Sequence, residues 1–358
     1  MIQIMARRTN TFKLCFLLIA SLAFIGYQLL LKSSVCPRLP AGGQGVRQLD
    51  PGVVDKHQLN DTDTKCSPGH FQLNNDGICH PMLTCKDIQD NVTSIKEIGV
   101  GLIKKVHLAR WKTYQVSLVK LSHSSFNNYF LSAAKMLQQS QGSPFVTQLL
   151  GFCPSSSTPA MVTEYHRFGS LKNINSILKE NGKDNGATRF RLCLDYVKII
   201  NFLHSSPTGT RVMCDSSYLK KTLSQFLVTS DLHIVLNDVD VLPVVDSSKR
   251  ILTNCGHYQV VGNFAAPEQL WPYAGVKFNE SQMPGYDEKT DIWKIPAVVD
   301  YLLGRNVYGD LVRFILSKFH KKCHSKDPKL RPTAAEVLKE YLAVQQILNV
   351  TEQSGLIF

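Results

Sequence analysis

Between about residues 93 and 165 the apolar positions recur with the two-residue period of half-buried strands. The runs Ile95 to Gly99, Lys105 to Trp111, Gln115 to Leu121, Val146 to Phe152 and Ala160 to Tyr165 predict five strands, with one helix from about Phe126 to Gln139 after the third. Beyond Gly169-Ser170-Leu171 the period lengthens to that of helices, over about 186–204, 287–304, 309–321 and 333–348, with two short strands near 224–228 and 232–237. A sheet-rich lobe followed by a larger helical one predicts an α+β, two-lobed architecture.

A different pattern occupies the N-terminus. Leu14 to Leu31 is an uncharged, mostly apolar run, preceded by Arg7, Arg8 and Lys13 and followed by Lys32. Its length approaches the roughly 20 residues that cross a bilayer. Tyr27, Gln28 and three leucines lead straight into Lys32 with no small-residue cleavage site, which predicts an uncleaved signal anchor. More cations precede the run than follow it, so the chain beyond residue 32 is expected on the far side of the membrane. The expected organisation is a cytoplasmic tail (1–13), a span (14–31), a lumenal stem with a cysteine-rich segment (32–90) and one main domain (91–347).

With 358 residues and 44% hydrophobic content, the chain has ample material for a large core and is neither disordered nor fibrous. Cys66, Cys79 and Cys85 crowd a stretch rich in Gly, Pro and Asn, as expected of a disulfide-stapled segment in an oxidising compartment. The segment has no Cys-x-x-Cys pair, which argues against zinc. Cys193 falls on the apolar side of a helical pattern and is the expected unpaired thiol. Sequons stand at Asn60, Asn91, Asn279 and Asn349. Residues 1–32 carry +4 of the net charge of +12; the remaining +8 would attract phosphates or acidic glycans, or be an ordinary solvated surface, and nucleic acid is not an expected partner in that compartment.

Several residues carry chemistry by type and position. Gly99-x-Gly101 between two predicted strands lets backbone N–H groups approach phosphates. Val116-Ser117-Leu118-Val119-Lys120 resembles the third strand of protein kinases, whose lysine neutralises nucleotide phosphates. Met161 to His166 resembles the kinase gatekeeper strand and hinge. Val212-Met213-Cys214-Asp215 falls where the catalytic loop belongs, and Asn237-Asp238-Val239-Asp240 where the metal-binding Asp-Phe-Gly belongs. Ala265-Ala266-Pro267-Glu268, Asp291-Ile292-Trp293-Lys294 and Asp327-Pro328 through Arg331 complete the kinase order. Glu268 with Arg331 is expected as a structural ion pair, and Asp291 as a cap on the catalytic loop. Cys214 and Cys255 suggest a disulfide between that loop and the activation segment.

The departures are equally clear. Lys104 replaces the third loop glycine, the helix after the third strand has no acid to pair with Lys120, no arginine precedes Asp215, and Lys220 replaces the metal-binding asparagine. Lys104 stands where the with-no-lysine kinases supply their phosphate-contacting lysine, so two lysines are available. Asp215 as proton acceptor and Asp238 as metal ligand remain, with Asp240, Asn237 or Gln225 as a second metal contact.

The strings Cys66-x-Pro-Gly-His-Phe71, Thr163-Glu-Tyr-His166, Gly209-Thr-Arg-Val-Met-Cys-Asp215, Lys221-Thr-Leu-Ser-Gln225, Asn237-Asp-Val-Asp240 and Ala266-Pro-Glu-Gln-Leu-Trp-Pro-Tyr273 resemble the protein O-mannose kinase family. That resemblance implies an endoplasmic-reticulum, type II membrane enzyme using ATP with Mg²⁺ or Mn²⁺. It implies phosphorylation of the 6-hydroxyl of O-linked mannose in the core trisaccharide of α-dystroglycan. Carried onto this chain, Asp215 takes the hydroxyl proton, Asp238 holds the metal, Lys104 or Lys120 steadies the phosphates, and the backbone of Glu164, Tyr165 and His166 holds adenine. His257, Gln269 and Tyr273 would wall the sugar pocket by position alone. A pseudokinase scaffold and a lumenal Ser/Thr protein kinase are the alternatives.

Overall fold

In the computed structural model, residues 66–73, 77–154, 159–256 and 258–353 are described; the predicted tail and span, with most of the stem, lie outside them, as do Asn60 and His257. No helix among the described residues is long and apolar enough to cross a membrane. One compact unit runs from Pro68 to Gln346.

The unit opens with two short paired strands, β1 (His70–Phe71) and β2 (His80–Pro81), and helix α1 (Cys85–Asn91). Thr84 caps that helix reciprocally with Asp87, which offsets its shortness. Then follow β3 (Val92–Val100), β4 (Lys104–Trp111), β5 (Tyr114–Leu121), helix α2 (Asn127–Gln139), β6 (Leu149–Cys153) and β7 (Ala160–Glu164). The long strands form an antiparallel sheet in the order β3-β4-β5-β7-β6. All five strands and the helix fall where the hydrophobic pattern predicts them. Two boundaries differ most: β3 begins at Val92 rather than Ile95, and Val146 leaves the sheet to bridge Leu236 of the helical lobe, where the Thr147 N–H donates to the Leu236 carbonyl at 2.9 Å.

The cysteine-rich segment is built into this lobe. Phe71, Leu73, Leu83 and Ile88 share a buried cluster with Ala109, Trp111, Val116, Leu118, Leu150 and Val162 on one face of the sheet. Each of the Leu, Ile, Val and Phe side chains, fully buried, stabilises by about 1.5–3 kcal/mol. The Leu83 N–H donates to the Leu150 carbonyl at 2.8 Å. So close an approach needs Gly151, because a Cβ there would lie 2.5 Å from that of Leu83. A Cys85–Cys153 disulfide fixes the contact covalently, and Cys66 and Cys79 are also disulfide-bonded.

After the crossing at residues 165–169 come α3 (Ile174–Glu180), α4 (Gly186–His204), β8 (Thr210–Arg211), α5 (Leu219–Ser224), β9 (Phe226–Val228), β10 (Ile234–Leu236), β11 (Val244–Val245), α6 (Lys289–Leu303), α7 (Val307–Cys323) and α8 (Ala334–Gln353). Helix α4 buries Leu192, Cys193, Leu194, Val197, Ile199, Ile200 and Leu203, the pattern of a central helix wrapped on all sides. Cys193 and Cys323 are buried free thiols.

Candidate active site

Asn237 and then Asp238 follow the end of β10 at Leu236. The N–H groups of Asn237 and Asp238 both donate to the Gln225 carbonyl, at 2.9 and 3.1 Å, so the end of α5 sets where the acidic turn begins. The Gln225 amide nitrogen in turn donates to the Lys221 carbonyl at 3.0 Å and to Ser224 Oγ at 3.3 Å. These contacts make buried Gln225 a brace for Asp238.

Across the lobes, Lys104 at the start of β4 places its Nζ 2.9 Å from Asp238 Oδ1 and 3.1 Å from Asp240 Oδ1. Burial opposes the charge on Lys104, but the two carboxylates outweigh it and hold its pKa above the ordinary lysine value. Burial also opposes charge on Asp238, yet Lys104 keeps it below the usual carboxylate range. Asp240 is pushed up to about 7 by burial, which Lys104 counters only in part, and by the neighbouring Asp238 charge. One lysine therefore faces the partly buried carboxyl group of Asp238 and the buried one of Asp240, and the site is short of positive charge.

Strand register separates the two candidate lysines. Lys104 pairs with Leu121, whereas Lys120 pairs with Lys105. Directly paired residues share a face and neighbours alternate. Lys120 is thus on the face of Val116 and Leu118, under the cysteine-rich segment, and Lys104 is on the other. Of the two lysines expected to steady the phosphates, the structure brings Lys104 to the acidic turn and sets Lys120 on the opposite face of the sheet.

Gly99 and Gly101 close the strand turn before Lys104, with the Gly101 N–H donating to the Lys104 carbonyl at 2.8 Å. A Cβ at Gly101 would meet nothing nearer than 3.5 Å, and one at Gly99 nothing nearer than 3.8 Å. Neither glycine is demanded by side-chain packing, although Gly99 stands at a break in the β3–β4 register; the missing Cβ atoms leave the backbone of the turn open to close approach.

Asp215 stands on a turn held from beneath by α6. The Met213 N–H donates to Asp291 Oδ2 at 3.0 Å, and Asp291 also meets His204 Nε2 at 3.3 Å. Buried Lys294 donates to Ser216 Oγ at 2.6 Å, and that hydroxyl donates to the Met213 carbonyl. Burial draws Lys294 below the ordinary lysine range despite Asp291. From the side, a Cys214–Cys255 disulfide ties the turn to the activation segment, as the sequence suggested. The Asp215 carboxylate stays one-third exposed, with Lys221 Nζ 2.5 Å from its Oδ2. Ser216, Lys221 and Lys294 escaped the sequence reading. The sequence offers the doublet Lys220-Lys221 at the head of a short helix, which does not say which of the two turns towards Asp215.

At the crossing, the Glu164 carbonyl accepts from Ser117 Oγ at 3.3 Å, and Glu164 Oε1 accepts from the Gln148 N–H at 2.8 Å and lies 3.3 Å from His166 Nε2. Tyr165 and His166 then run to Gly169, whose positive φ of 66° turns the chain so that its carbonyl accepts from Val228. Of the expected sugar-pocket walls, Tyr273 is exposed and packs edge-on against Trp271. Gln269 does not line a pocket: it is 4% exposed and its Oε1 accepts from the Ala266 N–H. The expected structural pair is present, with Arg331 bidentate to Glu268 at 2.5 and 2.8 Å.

Asp238 and Asp240 offer hard carboxylate oxygens close together, which suits Mg²⁺ or Mn²⁺. Among the described residues no cluster of three or more metal-ligating side chains occurs. Mg²⁺ commonly relies on one or two carboxylates plus substrate phosphates, so the donor set fits.

Residues 92–296 match the protein tyrosine and serine/threonine kinase family. The chain is 45% identical to protein O-mannose kinase from Homo sapiens, over 84% of this chain and 86% of that one. It is 46% identical to protein O-mannose kinase from Xenopus laevis, over 79% of this chain and 81% of that one. Against tyrosine-protein kinase TXK from Homo sapiens the identity is 25%, over 68% of this chain and 46% of that one. The site geometry and these likenesses together place the chain in the protein O-mannose kinase family, within the protein-kinase fold.

Proposed function

We propose that this chain transfers the γ-phosphoryl group of ATP to the 6-hydroxyl of an O-linked mannose, in the trisaccharide carried by α-dystroglycan. The observation that carries the reading is the Lys104–Asp238–Asp240 cluster across the lobes, with Asp215 on a braced turn beside it. Phosphoryl transfer asks chiefly for positioning and charge neutralisation, and these residues supply both.

Asp215 accepts the proton of the attacking hydroxyl. Lys104 steadies the nucleotide phosphates, and the backbone of Gly99 and Gly101 approaches them. Asp238 and Asp240 hold the divalent metal, with Gln225 fixing Asp238; the metal, when bound, neutralises charge developing on the phosphates. The backbone of Glu164 to His166 receives adenine. No acid from α2 is required, because Lys104 reaches the acidic turn from the loop side.

The same reading puts the domain in the lumen of the endoplasmic reticulum, behind the span at residues 14–31. Disulfides at Cys85–Cys153 and Cys214–Cys255 and exposed sequons at Asn91, Asn279 and Asn349 suit that compartment. The test incubates full-length, detergent-solubilised protein with labelled ATP and Mg²⁺ or Mn²⁺, offering a mannose-containing trisaccharide beside Ser/Thr peptides. Label on the sugar, lost in Asp215→Asn, is expected. Label on peptides alone would make it a protein kinase, and no turnover would make it a scaffold.

A further inference from the structure

Residues 246–264 lead from the acidic turn to the Ala265-Ala266-Pro267-Glu268 stretch, and the first half of this activation segment is well fastened. Asp246 and Ile251 exchange both backbone hydrogen bonds, at 2.8 and 2.9 Å, and Thr253 and Tyr286 do the same, at 3.0 and 2.8 Å. Asn254 Nδ2 donates to the Glu280 carbonyl at 3.2 Å, and the Cys255 N–H donates to the Tyr286 hydroxyl at 2.7 Å. Beyond Cys255 the pattern stops.

From Gly256 to Phe264 no backbone hydrogen bond occurs among the described residues. Tyr258 and Val261 are 56% and 71% exposed, and Gly262 and Asn263 are exposed beside them. Gly256 and Gly262 hold φ of 128° and 93°, a conformation that favours glycine, so a pivot stands near either end of the stretch. Its far end is anchored by packing, because Ala265 and Ala266 are buried. Its near end is tied to the catalytic turn by the Cys214–Cys255 disulfide; the Tyr258 hydroxyl, 3.4 Å from Ser217 Oγ, is a weak second link.

The two disulfides differ in access. Cys153 is buried in the sheet-lobe cluster, whereas Cys214 and Cys255 are both only half-buried. Thiol–disulfide exchange needs a thiolate to reach a sulfur, so exposed bridges are the labile ones. The seat of Asp215 does not depend on the bridge. The Met213 N–H is held by Asp291, and the Cys214 N–H donates to the Val241 carbonyl at 3.4 Å. Opening the bridge therefore frees the segment and leaves the turn in place.

Resting on the kinase reading above, we infer that the Cys214–Cys255 disulfide is a redox latch: joined, it holds residues 256–264 against the acceptor side of the site, and reduced, it releases them, weakening acceptor binding and sparing nucleotide binding. The reductant is a dithiol. Its first thiolate attacks one cysteine sulfur, the Cys214–Cys255 bond breaks and a mixed disulfide forms. Its second thiol then closes on the first, so two electrons and two protons pass to the protein, leaving two cysteine thiols and an oxidised, cyclic reductant.

The test equilibrates full-length, detergent-solubilised protein in mixtures of reduced and oxidised dithiothreitol. Each sample is divided among alkylation mapping of the thiols, brief chymotrypsin digestion and kinetics with ATP, Mn²⁺ and the trisaccharide. Where Cys214 and Cys255 are alkylated and Cys85 and Cys153 are not, KM for the trisaccharide should rise at least about tenfold while KM for ATP moves less than about threefold. Cleavage after Tyr258 should quicken at least about tenfold in the same samples, and reoxidation should reverse both changes. The paired Cys214→Ser, Cys255→Ser variant should show the reduced kinetics in every mixture. If that pair folds poorly, Cys255→Ala, which leaves the residue beside Asp215 intact, carries the comparison. Unchanged trisaccharide KM and unchanged cleavage with both thiols alkylated would overturn the latch, as would variants with wild-type kinetics or a Cys85–Cys153 bridge that opens first. No label on sugar from the oxidised protein would overturn the kinase reading instead, and cleavage after Tyr258 would then decide the release of the segment by itself.

Discussion

Lys104 and Asp238 lie 134 residues apart in sequence and 2.9 Å apart in the fold. The contact joins the sheet lobe to the helical lobe at the acidic turn, and it assigns the cleft lysine to the glycine turn rather than to the third strand. Lys104→Met should therefore lower kcat by about 100-fold to 1,000-fold, the usual cost of removing a charged donor from a transition state. Lys120→Met should stay within about threefold of wild type, measured as initial rate at saturating ATP. The reverse ranking would contradict the register.

The cysteine-rich segment should behave as part of the sheet lobe in unfolding. A paired Cys85→Ser, Cys153→Ser variant opens a link spanning 68 residues, for which chain entropy gives a loss of about 4 kcal/mol. Gly151→Ala, whose Cβ would press on Leu83, should lose about 1–3 kcal/mol by overpacking. Denaturant melts of both variants check this. Stability unchanged in both would show the segment to be an appendage.

Arg331 is a structural residue despite its motif. Its guanidinium also donates to the carbonyls of Ser325 and Lys289, at 2.8 and 2.9 Å, and lies 5.1 Å from the Trp293 ring. Arg331→Met leaves Glu268 unpaired and should cost about 3–5 kcal/mol. Activity per folded molecule should be retained, so a large loss of kcat at unchanged melting temperature would assign Arg331 to the chemistry instead.

His233 and Asp195 give the helical lobe a defined pH response. The hydrogen bond that the ring donates to Asp195 Oδ2, at 2.7 Å, raises the His233 pKa against the opposing effect of burial. A raised folded-state value stabilises fully below the unfolded pKa of about 6.5 and is lost as pH climbs through the folded one. The imidazole is nearly half exposed, so the effect is screened and small. The difference in melting temperature between wild type and His233→Gln should be larger near about pH 5 than near about pH 8.5. A gap that grows with pH would contradict the pairing.

How much of this was legible in the sequence varied with element size. Helix α4 is legible over its full length because nineteen residues carry enough apolar recurrence to show the helical period. Helix α1 is not, since seven residues carry too little period; in the fold a Thr84–Asp87 capping box secures its start. The order of the kinase landmarks placed Asp215 and Asp238 correctly in separate loops. Choosing between Lys104 and Lys120 needed the pairing register, because alternation within each strand says nothing about how two strands align. Lys221 needed the tertiary fold, as a lysine in a short polar helix looks like solvated surface until Asp215 is found beside it.

The most direct test of the central claim locates the phosphate on the product. Trisaccharide incubated with the full-length protein, ATP and Mn²⁺ is purified and examined by ³¹P–¹H correlation NMR. Coupling of the new phosphorus to the C6 protons of the mannose, absent when Asp215→Asn is used, is the expected result. A phosphorus coupled to any other position, or the same signal from the Asp215→Asn protein, would contradict it.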